Sequence, residues 1–286
     1  MFYPVSHIMS TPVISTSIQD TLAHVRKLML RHHITRIVVV SPEEKPVGII
    51  TQKDMVRVLA NTLKDIDNIL AGEVMSTPLI TVRPETPIPL AAKIMLEKDI
   101  SSIIVVDERN FAKGIVTKTD MCRHYAERFR GVATVRDFMT KDVVTVRSST
   151  SIYRVIEVMS ENNLDRVVVV EGKEPVGIIT SRDLIFGVSF KERRKTGRCV
   201  GRGSRIREIG LKAYRRASIA LMAEDVMNYP LITIKEDADL ADAAETMLRE
   251  DISGLPVVDD TGSLKGIITK SDITRAIAFI GGETIT

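Results

Sequence analysis

A chain of 286 residues, 44% hydrophobic and 27% charged, has the material for well-filled cores and a globular surface. Aromatic residues make up only 4%, with no Trp, which argues against broad base-stacking surfaces, and no apolar run approaches the ~20 residues of a membrane span. The formal charge of +3 is unevenly placed: residues 191–216 hold eleven Lys or Arg against Glu192 and Glu208, a net +9, so the remainder carries −6. Cys122 and Cys199 sit in dissimilar contexts and make no disulfide framework. The opening Met1-Phe2-Tyr3-Pro4-Val5-Ser6-His7 lacks the basic and apolar regions of a secretory leader, so a cytoplasmic protein with reduced thiols and no membrane partner is expected.

In chain order, Met9 precedes an extended stretch, Val13-Ile14-Ser15-Thr16, and then a helix with apolar residues at helical spacing (Ile18, Leu22, Val25, Leu28, Met29). His32-His33 is expected to end that helix, where a cation suits its dipole. A β-branched run (Ile37-Val38-Val39-Val40), the turn Ser41-Pro42-Glu43-Glu44, the strand Gly48-Ile49-Ile50-Thr51 and a helix after Asp54 complete the unit. The order returns after Met75, with Leu79-Ile80-Thr81-Val82, a helix start at Thr86-Pro87, the run Ile103–Val106 and the strand Gly114-Ile115-Val116-Thr117. It returns after Met139, with Val143–Val146, a helix start among Ser149, Thr150 and Ser151, Val167–Val170 and Gly177–Thr180. It returns once more after Met227, with Leu231–Ile234, the turn Asp259-Asp260-Thr261-Gly262 and Gly266–Thr269.

The opening Met recurs at intervals of 66, 64 and 88, and the closing Gly (48, 114, 177, 266) at 66, 63 and 89. Met to Gly spans 39, 39, 38 and 39 residues, so the extra length lies between the third and fourth repeats, where the basic segment falls. The divisions expected are 1–63, 64–129, 130–190, a basic insertion 191–224, and 225–286. Each repeat reads β-α-β-β-α, an α/β (α+β) class. Its strands are continuously apolar and are expected to be buried on both faces. About 60 residues is small for an independent core, so the repeats should pack in pairs.

Four Thr-x-x-Asp pairs close the units: Thr51 and Asp54, Thr117 and Asp120, Thr180 and Asp183, Thr269 and Asp272. The spacing has two readings. One is the capping box of an ordinary helix. The other is a ligand site, in which a helix N-terminus and the Thr hydroxyl hold a phosphate while the carboxylate accepts from a ribose diol. Arg36 and Arg166 stand just before apolar strands, where repeats two and four carry Ser102 and Gly254. Such a cation is either a solvated guard for a hydrophobic strand or a fork with room for an oligophosphate.

In these repeated strings the chain resembles the CBS (cystathionine-β-synthase type) domain family, over nearly everything except 191–224. The resemblance implies two Bateman modules, each of two repeats, stacked in a pseudo-symmetric disc. The fourfold layout is similar to the γ subunit of AMP-activated protein kinase and to stand-alone archaeal proteins. It implies AMP, ADP or ATP as ligands, with S-adenosyl compounds as an alternative, and the Thr-x-x-Asp positions on phosphate and ribose. It further implies ligand contact for the hydroxyls Thr119 and Ser271, a pattern that Lys53 and Arg182 break. It puts Arg36 and Arg166 on phosphate, and Ile14, Ile80, Val144 and Ile232 beside the adenine, although these four would be core residues of their strands in any case. The implied function is a regulatory energy-sensing module acting on an effector protein, with no catalysis; a homodimer is one assembly the family adopts.

The basic segment has three readings outside the resemblance: a linker, a loop closing over polyphosphate, or contact with nucleic acid or an acidic protein through Arg193, Arg194, Lys195, Arg198, Arg202, Arg215 and Arg216. A flexible loop to about 204 and a short helix over 205–223 are expected there. Its glycines make no P-loop, and no metal-ligand spacing or catalytic triad is present.

Overall fold

The structure is a computed structural model that describes residues 3–61, 66–186 and 221–280. Its strands form four three-stranded sheets built alike. In the first, Ser15–Ser17 runs parallel to Arg36–Val40, which pairs antiparallel with Pro46–Thr51. The second uses Thr81–Val82, Ser102–Val106 and Ala112–Thr117; the third Thr145–Arg147, Arg166–Glu171 and Glu174–Thr180; the fourth Ile234–Lys235, Gly254–Val258 and Leu264–Thr269. Parallel neighbours need a crossover, supplied by the helices Leu22–Arg31, Ile88–Glu97, Ile152–Glu161 and Leu240–Arg249. Closing helices follow at Gln52–Asn61, Lys118–Arg128, Ser181–Phe186 and Lys270–Ile280. The β-α-β-β-α order is realised four times.

Three local expectations are corrected. The central strands Ser102–Val106 and Gly254–Val258 are buried throughout, but every closing strand alternates: Gly48 and Ile50 are buried while Ile49 and Thr51 are half-exposed. One face of that strand therefore looks out of the core. Pro87 is the N-cap of its helix instead of its first residue, and Thr86 caps the preceding turn by accepting from the Arg83 amide at 3.2 Å. The opening strands begin later than the apolar stretches that announce them, because the residues before Ser15 and Thr81 belong to a different contact.

That contact joins the repeats in pairs. Ser10 and Ile115 exchange backbone hydrogen bonds (2.9 and 3.1 Å), and so do Ser76 and Ile49 (2.8 and 3.3 Å). The opening of repeat one thus lies on the closing strand of repeat two, and the reverse. Thr140 pairs in the same way with Ile267 at 2.9 Å, and the Asn228 amide donates to Ile178 at 2.9 Å, so repeats three and four make the same exchange. The glycine of each closing strand admits the partner's opening Met: a Cβ on Gly48 would stand 2.5 Å from Met75 Sδ, and one on Gly114 2.5 Å from Met9 Sδ. Helical turns ahead of each Met complete the exchange, with Val5 N bonding Thr86 O (2.8 Å) and Ala71 N bonding Asp20 O (2.7 Å).

The chain divides into two compact units, Met1–Met55 with Lys64–Val143 and Ile232–Thr286, and Val56–Leu63 with Val144–Leu231. In the first, a core of Ala91, Met95, Met121, Tyr125, Ala244, Met247, Ile273 and Ile277 joins the helices of repeats two and four. Small residues on facing helices let the backbones approach, and each large apolar side chain buried contributes about 1.5–3 kcal/mol. In the second, Ile152, Val155, Met159, Val167, Val169 and Ile179 make a separate core. His33, Asp99, Asn163 and Asp251 follow the four crossover helices with φ of 53, 46, 51 and 49°. They take the left-handed position at which a helix usually ends on Gly or Asn. His32 is the cap of its helix, as the sequence suggests.

Candidate functional site

Each closing helix starts immediately after its Thr and carries the Asp in its first turn. The Thr amides donate to Asp Oδ2 at 2.9, 2.8, 2.8 and 2.8 Å in repeats one to four, and the Thr hydroxyls donate to the same oxygen at 2.7, 2.6, 2.6 and 2.7 Å. In repeats one to three the Asp amide also donates back to the Thr hydroxyl, at 3.4, 3.3 and 3.4 Å, which completes the capping box there. It leaves the other carboxylate oxygen for different work. Asp120 Oδ1 accepts from Ser10 Oγ at 3.4 Å and from Arg123 at 3.1 Å; Asp54 Oδ1 accepts from Ser76 Oγ at 3.4 Å. Asp272 Oδ1 accepts from Arg275 at 2.8 Å. Asp183 takes Asn228 Nδ2 on Oδ2 at 2.8 Å. In Asp54 and Asp120, capping by one oxygen fixes the rotamer that turns the second toward the opening segment of the partner repeat.

Asp54, Asp120 and Asp272 are buried, and buried carboxylates need such donors. Burial raises the Asp272 carboxyl above the ordinary aspartate range, opposed by Thr269 and Arg275.

Arg36 stands directly across the sheet from Thr51, Ser102 from Thr117, Arg166 from Thr180 and Gly254 from Thr269. The cation or small residue thus faces the capping Thr in every repeat. Arg36 is no solvated guard. Its guanidinium crosses to repeat two, donating to the Ser101 carbonyl at 2.5 Å and its hydroxyl at 3.2 Å. Burial lowers its pKa to about 10, and the nearby Asp120 carboxylate opposes that shift. Even so lowered, it stays a cation at neutral pH, held in the same cleft as Asp120.

Ile14, Ile80, Val144 and Ile232 are half-buried and precede their strands, so the expectation that they lie within the strands is corrected, while Val144 and Ile232 do pack against the cores of their units. Ile14 and Ile80 accept backbone bonds from Val38 (3.3 Å) and Ile104 (3.4 Å), at the crossing between a partner's closing strand and their own sheet. A cavity of about 400 Å³ opens beside Ile80, lined by Lys45, Pro46, Val47, Leu79, Thr81, Val106 and Asn110.

A model of the CBS domain matches residues 5–61, 71–127, 135–189 and 223–279. The chain belongs to the CBS domain family. Protein MJ1225 of Methanocaldococcus jannaschii is 29% identical over 257 residues, which cover 84% of this chain and 86% of that protein. Its crystal structure, of a protein proposed as an archaeal homologue of the γ subunit of AMP-activated protein kinase, matches with a TM-score of 0.80 and 25% identity over 96% of this chain and all (100%) of that one. MJ1404 of the same organism is 34% identical over 199 residues, 69% of this chain, but this chain spans only 44% of its length. A Pyrococcus horikoshii protein shares the fold at a TM-score of 0.67 and 19% identity, covering 96% and 99% of the two chains.

The CBS repeats also use residues that sequence reasoning missed. Ser10, Ser76, Thr140 and Asn228 each follow an opening Met and pair with the partner's closing strand, three of them within reach of an Asp. Their signal was a polar residue at a fixed place in each repeat, disguised by its changing type. Lys118 and Lys270, next to the capping Thr, were missed too. Thr119 and Ser271 accept hydrogen bonds from these lysines. The basic residues Arg193, Arg194, Lys195, Arg198, Arg202, Arg215 and Arg216 lie outside the described residues, as does all but the end of the helix expected over 205–223; residues 221 and 222 are not helical, and a short helix, Ala223–Val226, follows. Among the described residues no cluster of His, Cys, Asp or Glu could hold a metal ion, and no helix is long and apolar enough to cross a membrane.

Proposed function

We propose that the protein is a regulatory module that binds adenine nucleotides in the clefts between paired CBS repeats, without chemistry of its own. The observation that carries this reading is the divided labour of the aspartates. In Asp54 and Asp120 one oxygen caps a helix and the other faces the partner repeat, leaving a hydroxyl-rich helix N-terminus, at Asp120 in the cleft that the half-buried Arg36 enters. In this reading the ribose diol displaces the weak 3.4 Å bonds of Ser10 and Ser76 on Asp120 and Asp54. The phosphate lies at the helix N-terminus within reach of Arg36, and the base lies against Ile14, Ile80, Val144 and Ile232.

Because each cleft is made by two repeats, a ligand that draws on both biases their packing. AMP, ADP and ATP differ in how far their phosphates reach, and only that difference in affinity between packings can drive a change. An effector protein would read the outcome.

Calorimetric titration with AMP, ADP, ATP and S-adenosylmethionine, on wild-type protein and on Asp183→Ala and Asp272→Ala, tests the reading. Saturable nucleotide binding weakened by both substitutions is the expected result. Binding of S-adenosylmethionine alone would keep the adenosine cleft and remove the phosphate role. Flat traces for all four would reduce the Thr-x-x-Asp pairs to helix caps.

A further inference from the structure

Repeats two and four meet helix to helix: Lys118–Arg128 packs against both Leu240–Arg249 and Lys270–Ile280. Where the two closing helices begin, their side chains cross. Lys118 Nζ donates to Ser271 Oγ at 2.9 Å, and Lys270 Nζ donates to Thr119 Oγ1 at 3.1 Å. Each acceptor is the hydroxyl directly before a cleft aspartate, Asp272 in one case and Asp120 in the other.

The sequence carries the same reciprocity. Repeats two and four read Thr-Lys-Thr-Asp and Thr-Lys-Ser-Asp, with lysine second and hydroxyl third; repeats one and three read Thr-Gln-Lys-Asp and Thr-Ser-Arg-Asp, with neither at that place. Lysine and acceptor occur together only in the two repeats whose helices meet. The fully buried Cys122 lies among these charges, with Lys270 and Asp272 of repeat four as well as Arg123 and Asp120 of its own repeat around it.

We propose that Lys118 and Lys270 are phosphate ligands exchanged between the two clefts, Lys270 completing the one that holds Asp120 and Lys118 the one that holds Asp272. This rests on the nucleotide reading given above. A phosphate seated at Thr119 comes within a hydrogen-bond length of where Lys270 Nζ already lies, so the ammonium exchanges a hydroxyl for an anion without leaving its place. A charge-assisted bond of that kind is roughly twice as strong as a neutral one. The lysine is anchored in the other repeat's helix, so a phosphate in one cleft fixes the helix start that frames the other. Phosphate-bearing ligands thereby link the clefts, and a ligand without phosphate does not.

The test uses the full chain carrying Asp54→Asn, Asp183→Asn and Asp272→Asn, which leaves Asp120 as the one cleft aspartate. AMP and adenosine are titrated by calorimetry with and without Lys270→Gln. The inference expects AMP to weaken roughly tenfold, as for the loss of one charged hydrogen bond, with adenosine unmoved and Lys270→Arg restoring most of the affinity. The mirror set keeps Asp272 and asks the same of Lys118→Gln. Ligand-free thermal melts accompany each variant, and Lys270→Met replaces Lys270→Gln should the latter melt below the assay temperature. An unchanged AMP affinity, or an equal loss for AMP and adenosine, overturns the exchange while the nucleotide reading stands. No saturable AMP binding by the wild-type protein overturns both.

Discussion

The guanidinium of Arg36 reaches across from repeat one to the carbonyl of Ser101 in repeat two, 2.5 Å away, while remaining under the influence of Asp120. A cation held on the far repeat's backbone is positioned before any ligand arrives. Arg36→Gln should therefore weaken nucleotides in order of phosphate number, ATP most and adenosine least, by roughly ten- to a hundredfold for ATP, the worth of a charged hydrogen bond. Calorimetric titration of the three ligands checks this. An equal loss for adenosine would assign Arg36 to holding the two repeats together.

The closing glycines make a graded prediction. The three atoms nearest a Cβ on Gly48 all belong to the side chain of Met75, whereas a Cβ on Gly266 meets the backbone carbonyl of Thr140 at 2.8 Å as well as Met139. A thioether can turn aside and a paired backbone cannot. Gly266→Ala should lower stability by about 1–3 kcal/mol and more than Gly48→Ala does, because overpacking costs most where nothing can move. Chemical denaturation of both variants gives the comparison.

Asp272 gives a pH signature. Its folded pKa lies above the unfolded value, so the stability it contributes is complete below the ordinary aspartate value and is lost as pH rises through the raised one. Asp272→Asn keeps an acceptor for Thr269 and never has to bury a charge. Its melting temperature should exceed that of the wild type at pH 7, with the gap closing as pH falls toward 4. A gap that does not change with pH would contradict the assignment.

Cys122 is fully buried between repeats two and four, and burial pushes its thiol up to about 12. At pH 8 that leaves roughly one thiol in ten thousand as the reactive thiolate. In a Cys199→Ser background, a thiol reagent should leave Cys122 unmodified in the native protein and label it fully in denaturant. Labelling under native conditions would mean that the helices of repeats two and four separate readily.

Much of this was legible in the sequence because repetition multiplied weak signals. A single Thr-x-x-Asp is an ordinary helix cap. Four in register mark a position, and the structure bonds the Thr hydroxyl to the Asp at all four. The β-α-β-β-α order followed from the run of β-branched residues and the period of the helices. What stayed hidden is the exchange between repeats. Ser10 and Asp120 lie 110 residues apart, and Lys118 and Ser271 lie 153 apart, separations at which no local pattern speaks. The burial of Ile14 and its counterparts was misjudged for the same reason. Their apolar character fits a strand, but the segment ahead of each strand is spent on the partner repeat, which leaves them half-buried. The helix ends at His33, Asp99, Asn163 and Asp251 were obscured because three residue types fill one left-handed position.

The most direct measurement is a crystal structure of the protein grown with AMP. The account predicts a nucleotide between paired repeats, its ribose diol on the outward oxygen of Asp120, its phosphate at Thr117 and Thr119 beside Arg36, and its base against Ile14. A nucleotide bound away from the four aspartates, or clefts that stay empty at saturating AMP, would contradict it.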